Sequence, residues 1–263
     1  MALFGGLLAV PTAGAVVGGS AVDPQRYPAV ITLAEVCTAT LIGVDRLMTA
    51  GHCVSYVEPG VTTVRIGGGA PYVVTRVARH PRFRYQLPQI PAEPYRDVAL
   101  IELERPVPDV APMRISGAVV RADARLVLLG YGTSDADRLD RFGTLRRADL
   151  VVRGVGTCRH LLERALKGQG RQFRGSAMLC TQGPRPGKPF ASGCNGDSGG
   201  PLLRTTRDGP VIVGIDSWGV ACGALDGDPE VFVRMSLERA WLESPTPPWT
   251  TERIRDPWDP PPP

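Results

Sequence analysis

A chain of 263 residues with 43% hydrophobic residues can bury a sizeable core, either as one large domain or as two domains of ordinary size. The formal net charge of +4 is modest, and 26 acidic residues are interspersed among the 30 basic ones. This balance argues against a protein whose main partner is a nucleic acid or another polyanion.

The first residues of the chain have the features of an export signal. Residues 1–10 are apolar and uncharged, and Ala13, Gly14 and Ala15 form the small-x-small pattern that signal peptidase accepts. A membrane anchor is the alternative, but the apolar stretch is shorter than the roughly 20 residues that span a bilayer. We therefore expect a signal peptide at residues 1–15, no stable membrane anchor, and a secreted protein. The positively charged segment that begins such signals is missing, so the signal is either truncated at its start or unusually short.

The middle of the chain has the pattern of a β protein. Short apolar or β-branched runs at residues 29–33, 62–66, 72–77, 126–129 and 211–215 are punctuated by glycine and proline. Only residues 159–166 and 236–243 have helical periodicity, and Pro245 ends the second of these segments. We therefore predict mostly short strands with two short helices.

The last residues, 244–263, differ from the rest in composition. They contain eight prolines and show little apolar periodicity. This composition predicts a disordered extension.

Three short motifs supply the groups that a nucleophilic serine needs. His52 follows an apolar run, Asp97 begins a strand-like segment, and Ser198 lies among glycines in the sequence CNGDSGGP at residues 194–201. A serine hydroxyl is a weak nucleophile near neutral pH, so it requires a general base and a group that orients this base. The order His, Asp, Ser is that of the chymotrypsin-like arrangement, whereas subtilisins and α/β-hydrolases use other orders.

With these motifs, the chain resembles the trypsin/chymotrypsin family of serine endopeptidases over residues 16–243. Four further segments support the resemblance, in the family's order: VVGG at 16–19, GYG at 130–132, MLC at 178–180 and SWG at 217–219. The resemblance implies an all-β fold of two packed six-stranded antiparallel β-barrels with a short C-terminal helix. It places the barrels at about residues 16–115 and 120–243.

The six cysteines allow fifteen pairings, which the sequence alone does not resolve. Free or metal-bound cysteines are the alternative, but the chain has no Cys-x-x-Cys pair, and an even count suits an oxidising compartment. The family resemblance implies three disulfides: Cys37 with Cys53, Cys158 with Cys180, and Cys194 with Cys222.

The resemblance also assigns the catalytic roles. Ser198 is the expected nucleophile, His52 the general base, and Asp97 the group that orients the histidine. The backbone amides of Gly196 and Ser198 are expected to form the oxyanion hole.

In the same family, an aspartate pairs with the amino group of the mature chain, which here implies a pair between Asp197 and Val16. Signal peptidase that cuts after Ala15 would create this amine directly. The alternative is that another protease with a preference for small residues activates the chain.

Aligned on Ser198, the resemblance puts Ser192 at the base of the specificity pocket, where trypsins carry aspartate, and Ser217, Trp218 and Gly219 in the substrate cleft. Glu230 aligns with a second pocket position that is usually glycine, and residues 229–232 resemble cathepsin G, which accepts basic and aromatic side chains. We therefore expect dual specificity. Alternatively, Glu230 turns away to pair with an arginine, or the loop shifts its register.

The leading hypothesis is a serine endopeptidase that acts on protein or peptide substrates and uses no cofactor and no metal. A catalytically silent binding protein on the same fold is the main alternative, and the complete set His52, Asp97, Ser198 and Gly196 gives it little support. A third possibility is an active protease that recognises a partner through its arginine-rich helix and proline-rich tail. The oligomeric state does not follow from the sequence.

Overall fold

A computed structural model describes residues 16–84, 96–133, 143–166, 173–183, 191–220, 222 and 229–256. Within these residues the chain forms thirteen strands, two α-helices and two 3-10 helices. The strands are β1 (Ser20–Ala21), β2 (Val30–Leu33), β3 (Cys37–Leu41), β4 (Arg46–Thr49), β5 (Thr63–Val64), β6 (Tyr72–Arg79), β7 (Ala99–Leu103), β8 (Arg125–Gly130), β9 (Arg146–Val152), β10 (Met178–Gln182), β11 (Pro201–Thr206), β12 (Gly209–Gly219) and β13 (Glu230–Arg234). The α-helices are α1 (Val155–Leu166) and α2 (Met235–Leu242), and the 3-10 helices are Pro24–Arg26 and Gly51–Tyr56.

The strands form two six-stranded antiparallel barrels. The first barrel has the strand order β2-β3-β4-β7-β6-β5, and the second has the order β9-β10-β13-β12-β11-β8, which the pairing of β8 with β9 closes. The side chains that point inward along these strands are almost wholly buried and belong to the hydrophobic cores. The predicted fold class, including the C-terminal helix α2, is confirmed.

The start of the domain belongs to the second barrel, which corrects the predicted boundary. β1 pairs with β9, with Ser20 opposite Arg147. Val16 is fully buried in the core of the second barrel. The N-terminal residues assigned to the first barrel therefore pack against the second, because β10 pairs only with the end of β9 and leaves Arg146 and Arg147 available to β1, and because the core accepts an apolar valine.

The first part of the proline-rich tail is also ordered, so the prediction of a disordered extension is wrong for residues 244–256. Thr250 and Val77 exchange backbone hydrogen bonds of 2.8 and 2.9 Å, which fixes the segment against β6. The Arg76 guanidinium lies 4.8 Å from the centre of the Trp249 ring, within the range of a cation–π contact. Residues 257–263 lie outside the described residues.

The end of this C-terminal segment contacts the 3-10 helix Gly51–Tyr56, which carries His52. Asp256 Oδ1 accepts a hydrogen bond of 3.0 Å from Arg79 Nη2, and Arg79 Nε donates to the carbonyl of Gly51 at 2.7 Å. Arg253 Nε donates to the carbonyl of Ser55 at 3.0 Å. The segment therefore supports the 3-10 helix that carries His52.

We expect Asp256→Asn to lower the free energy of unfolding by about 1–3 kcal/mol, because it weakens a charge-assisted hydrogen bond to a mostly buried guanidinium. Urea denaturation followed by tryptophan fluorescence measures the change. The matched control is Asp149→Asn, which removes the same charge from an exposed pair with Arg147 and should change stability by less than about 0.5 kcal/mol. If Asp256→Asn lowers the free energy of unfolding no more than Asp149→Asn does, the contact between Asp256 and Arg79 adds no stability.

Candidate active site

His52 and Asp97 meet at one edge of the first barrel because of how two strands pair. β4 and β7 are antiparallel neighbours with Thr49 opposite Ala99, so the residues that follow β4 lie beside those that precede β7. Asp97 Oδ2 lies 2.8 Å from His52 Nδ1, and its Oδ1 accepts the backbone NH of His52 at 2.9 Å. The carboxylate therefore holds both the backbone and the ring of the histidine.

Asp97 accepts a third hydrogen bond, in addition to those from the backbone and the ring of His52. The Ser217 hydroxyl, from β12 of the second barrel, donates to Asp97 Oδ2 at 2.6 Å. Ser217 was predicted to lie in the substrate cleft, and the structure directs its side chain to Asp97. The two barrels thus meet at the carboxylate.

The electrostatics of the pair suit proton transfer. Burial alone would raise the pKa of Asp97, but the charge and hydrogen bonds of His52 and the hydrogen bond of Ser217 bring it below its ordinary value. Burial alone would lower the pKa of His52, but the charge and hydrogen bond of Asp97 raise it above 6.5. Asp97 is therefore ionised at neutral pH, and His52 is a stronger base than a free histidine.

Ser198 lies beside the 3-10 helix that carries His52, at the contact between the two barrels. Its carbonyl accepts the backbone NH of Thr38 at 2.8 Å and lies 3.7 Å from Cys53 Sγ. Among the described residues, nothing hydrogen-bonds to the Ser198 hydroxyl. A long serine–histidine contact is common in ligand-free enzymes and tightens when substrate binds.

The turn before Ser198 presents free backbone amides. Gly196 has a φ of 93°, in the left-handed region that glycine adopts without steric cost. Its carbonyl accepts a hydrogen bond of 2.8 Å from Thr38 Oγ1, on the first barrel. No residue in the described ranges accepts a hydrogen bond from the amide of Gly196 or of Ser198, so both remain free to bind an oxyanion.

Asp197 is fully buried directly beneath this turn. Its carboxylate accepts backbone NH groups from Gly132 and Cys194, each at 2.9 Å, and from Val16. Burial nevertheless raises the pKa of Asp197 to about 7, because these neutral donors offset only part of the desolvation cost. Within the described ranges, no side-chain cation forms an ion pair with Asp197.

The motif GYG at 130–132 is explained by close approach to Asp197. A Cβ on Gly130 would lie 1.9 Å from Asp197 Oδ1, and a Cβ on Gly132 would lie 2.5 Å from its backbone nitrogen. Any side chain at either position would displace the aspartate. The motif was first recognised only by its resemblance to the family, and this close approach explains why both positions are glycine.

The predicted pocket residues converge between two walls that a disulfide joins. Cys194 and Cys222 are bonded, as are Cys37 with Cys53 and Cys158 with Cys180, so all three implied pairings are confirmed. The buried Ser192 hydroxyl donates to Glu230 Oε2 at 2.9 Å. A Cβ on Gly219 would lie 2.1 Å from the same oxygen, so Glu230 lies against the wall that Trp218 and Gly219 form.

Asp216 is a further buried residue beside Glu230, and none of the sequence motifs pointed to it. It is 2% exposed, and its Oδ2 would lie 2.9 Å from a Cβ on Gly193. A charged residue that interrupts the apolar run of β12, directly before Ser217, was the available signal. Asp216 and Glu230 are therefore two buried carboxyl groups that both lie against Gly193.

Cys37, His52 and Cys53 offer ligand atoms within 4.8 Å of one another, which resembles a metal site in outline. The two sulfurs are joined in a disulfide, and a disulfide sulfur is not the thiolate that metals bind.

Among the described residues, no helix is long and apolar enough to cross a membrane.

Comparison with known proteins gives matches over most of the chain. Residues 16–242 match the family model described as Trypsin. The chain is 28% identical to a trypsin from Saccharopolyspora erythraea over 236 residues, which cover 84% of this chain and 93% of that protein. It is 29% identical to transmembrane protease serine 9 from Rattus norvegicus over 251 residues, which cover 88% of this chain but only 22% of that longer protein.

The fold is similar to a solved structure as well. Neuropsin, a serine protease expressed in the limbic system of mouse brain, superposes with a TM-score of 0.67 at 24% sequence identity. The match covers 86% of this chain and 98% of neuropsin. At this identity the likeness supports the fold.

Proposed function

The chain belongs to the trypsin family of serine proteases, and from this premise we propose that it is an endopeptidase that hydrolyses peptide bonds through an acyl-enzyme. The observation that carries the proposal is the buried Asp97 carboxylate, which holds both the ring and the backbone of His52 at 2.8 and 2.9 Å. This contact fixes the histidine tautomer whose Nε2 can accept a proton.

In the proposed reaction, Ser198 Oγ attacks the scissile carbonyl carbon while His52 Nε2 takes the hydroxyl proton. The tetrahedral intermediate collapses when the imidazolium returns this proton to the leaving amine, which breaks the peptide bond and leaves an ester on Ser198. Water then attacks the ester with the same histidine as base, and release of the acid restores the Ser198 hydroxyl. Asp97 stays ionised throughout and stabilises the imidazolium.

The free amides of Gly196 and Ser198 are the proposed oxyanion hole. They belong to a turn that the contact between Thr38 Oγ1 and the Gly196 carbonyl ties to the first barrel. Donors fixed in advance stabilise the developing negative charge without reorganisation, and each such donor contributes about 10²–10³-fold to the rate.

We propose that the mature chain begins at Val16 and that its α-amino group pairs with Asp197. Val16 is fully buried, its backbone nitrogen already bonds to Asp197, and its φ of 59° is unfavourable for a β-branched residue inside a chain. Cleavage after Ala15 removes the preceding carbonyl that causes this steric cost, and it supplies the cation that Asp197 lacks. Signal peptidase is the simplest agent, and another protease with a preference for small residues is the alternative. Residues 1–15 lie outside the described residues.

We propose dual specificity for the pocket. The contact between Ser192 and Glu230 supports a carboxylate at its base that can bind a lysine or arginine side chain, while the absence of the usual aspartate at position 192 leaves room for aromatic side chains. The alternative in which Glu230 pairs with an arginine has no support, since Glu230 forms no ion pair within the described ranges.

Three disulfides suit an oxidising compartment, so we also propose that the protein is secreted. Its substrates would then be extracellular proteins or peptides. The described part of the proline-rich tail packs against β6, which gives less support to the idea that residues 244–256 serve to recognise a partner.

Labelling with a fluorescent organophosphonate tests this function against the alternative of a silent binding protein. We expect a single adduct at Ser198, located by mass spectrometry of peptides, and no adduct after heat denaturation. The labelling rate should fall about tenfold per pH unit below a midpoint above 6.5, because only neutral His52 accepts the serine proton. No adduct at Ser198, or a rate that does not change with pH, would contradict the proposed mechanism.

A further inference from the structure

Two buried carboxyl groups face each other across neighbouring strands at the base of the pocket. Asp216 lies on β12 and Glu230 begins β13, and these strands pair with a register shift between Asp216 and Trp218. A Cβ on Gly193 would lie 2.9 Å from Asp216 Oδ2 and 3.2 Å from Glu230 Cδ. Both carboxyl groups therefore reach the same point on the opposite wall of the pocket.

Neither carboxyl group has a cation as a partner among the described residues. Asp216 is 2% exposed and Glu230 is 4% exposed, and Asp216 Oδ1 has no hydrogen-bond partner within the described ranges. The carboxylates of Asp197 and Asp97 also face Asp216 and add to the negative charge. Two adjacent charges so deeply buried would repel strongly, so the pair must retain a proton.

The hydrogen bonds indicate which residue holds the proton. Glu230 accepts the Ser192 hydroxyl at 2.9 Å and a hydrogen bond from Asp216, and both donors favour its ionised form. Burial and the nearby carboxylates raise the pKa of Asp216 well above its ordinary value, and burial raises that of Glu230 to about 7. Because the Ser192 hydroxyl donates to Glu230 whereas Asp216 Oδ1 has no partner in the described ranges, we assign the shared proton to Asp216 and the single negative charge to Glu230.

We propose that Asp216 is a specificity-determining residue that acts through Glu230: as a neutral hydrogen-bond donor it keeps the Glu230 carboxylate ionised and directed at a cationic substrate side chain. This inference rests on the proposed pocket and names the residue that controls its charge. Asp216 does not touch the substrate in this proposal. Its function is to make the preference for lysine and arginine depend on a proton.

The pH dependence of specificity distinguishes this role from a structural one. The ratio of kcat/KM for a lysine substrate to that for a matched phenylalanine substrate should rise about tenfold per pH unit up to a midpoint near 7 and then level off, since only the ionised pair attracts a cation. Dividing the two rates cancels the titration of His52, which both substrates share. A ratio that does not change between pH 5.5 and 8.5 would overturn the proposal.

Three substitutions separate the roles of the two carboxyl groups. Glu230→Gln should remove the basic preference at every pH and keep the aromatic one. Asp216→Asn should leave the ratio within about threefold of the unmodified protein, because its amide also donates a hydrogen bond, whereas Asp216→Val should lower the ratio about tenfold at pH 7. Titration with the phosphonate counts correctly folded sites, and Asp149→Asn on the surface controls for net charge.

The opposite pattern would overturn the proposal. If Asp216→Asn lost the basic class as fully as Glu230→Gln, Asp216 itself would carry the charge. If Asp216→Val matched the unmodified protein, Asp216 would have no role in specificity.

A binding measurement keeps this test independent of catalysis. Benzamidine, a cation of nearly the size of a phenylalanine side chain, can be titrated calorimetrically into the Ser198→Ala protein at pH 5.5 to 8.5. Its affinity should rise with pH up to a midpoint near 7 and then level off, and Glu230→Gln should abolish this rise. If benzamidine binds with this pH profile but the unmodified protein hydrolyses no peptide, the charged pocket is supported and the proposed function is overturned. If the unmodified protein hydrolyses peptides but the affinity for benzamidine does not change with pH, the proposed function is supported and the charged pocket is overturned.

Discussion

Replacing Ser198 by alanine is expected to lower kcat about 10⁶-fold, because the substitution removes the atom that forms the acyl-enzyme. The triad acts as a unit, so His52→Ala should cost nearly as much, and the double variant should cost no more than either single one. The rate that remains reflects the oxyanion donors and substrate binding alone. Steady-state hydrolysis of a peptide anilide, normalised to the concentration of folded protein, measures the loss.

Ser20→Ala is the matched control, because Ser20 is an exposed serine on strand β1, which pairs with β9 and carries no triad residue. Its kcat should equal that of the unmodified protein, and both alanine variants should keep the same melting temperature within a few degrees. A Ser198→Ala protein that still turns over peptide at a tenth of the original rate would mean that another residue is the nucleophile.

A chain that begins at Ala15 should be at least about 10³-fold less active in kcat/KM than a chain that begins at Val16. In the longer chain the first amine lies one residue too far from Asp197, so the buried carboxylate has no cation and the turn that carries the oxyanion donors loses its support. The two chains can be released from a fusion partner by a protease that leaves no extra residue. Peptide hydrolysis and phosphonate labelling then compare them directly.

The same amine predicts a loss of activity at high pH. Pairing with Asp197 should raise the pKa of the amine above the reference value of about 8, so the contribution of the ion pair to activity should be fully present below that value and should be lost as pH rises through the raised pKa. The Asp197→Asn protein should lack this decline, and its activity should be low at every pH. Equal activity of the chains that begin at Ala15 and at Val16 would refute the ion pair.

The sequence alone was sufficient to indicate the family, because the residues that carry the resemblance lie in short, local motifs. The order of His52, Asp97 and Ser198 and the glycines around Ser198 carried the family resemblance. The apolar runs also predicted the strands at 72–77 and 126–129 close to their observed bounds, β6 and β8. The three disulfides followed from the resemblance, since spacing alone left fifteen pairings open.

Tertiary structure decided what depends on contacts between distant residues. Val16 belongs to the second barrel because its partner, Asp197, is buried there. Composition predicted disorder after residue 244, but Thr250 and Asp256 find partners on β6 that no local pattern reveals.

The charge of the pocket was likewise decided by the fold. Asp216 and Glu230 are ordinary acidic residues in the sequence, and each alone would be expected to ionise near its usual pKa. Only the pairing of β12 with β13 buries them side by side beneath Ser192. Two carboxyl groups without a cation must share a proton there, because repulsion and the loss of solvation disfavour a second charge.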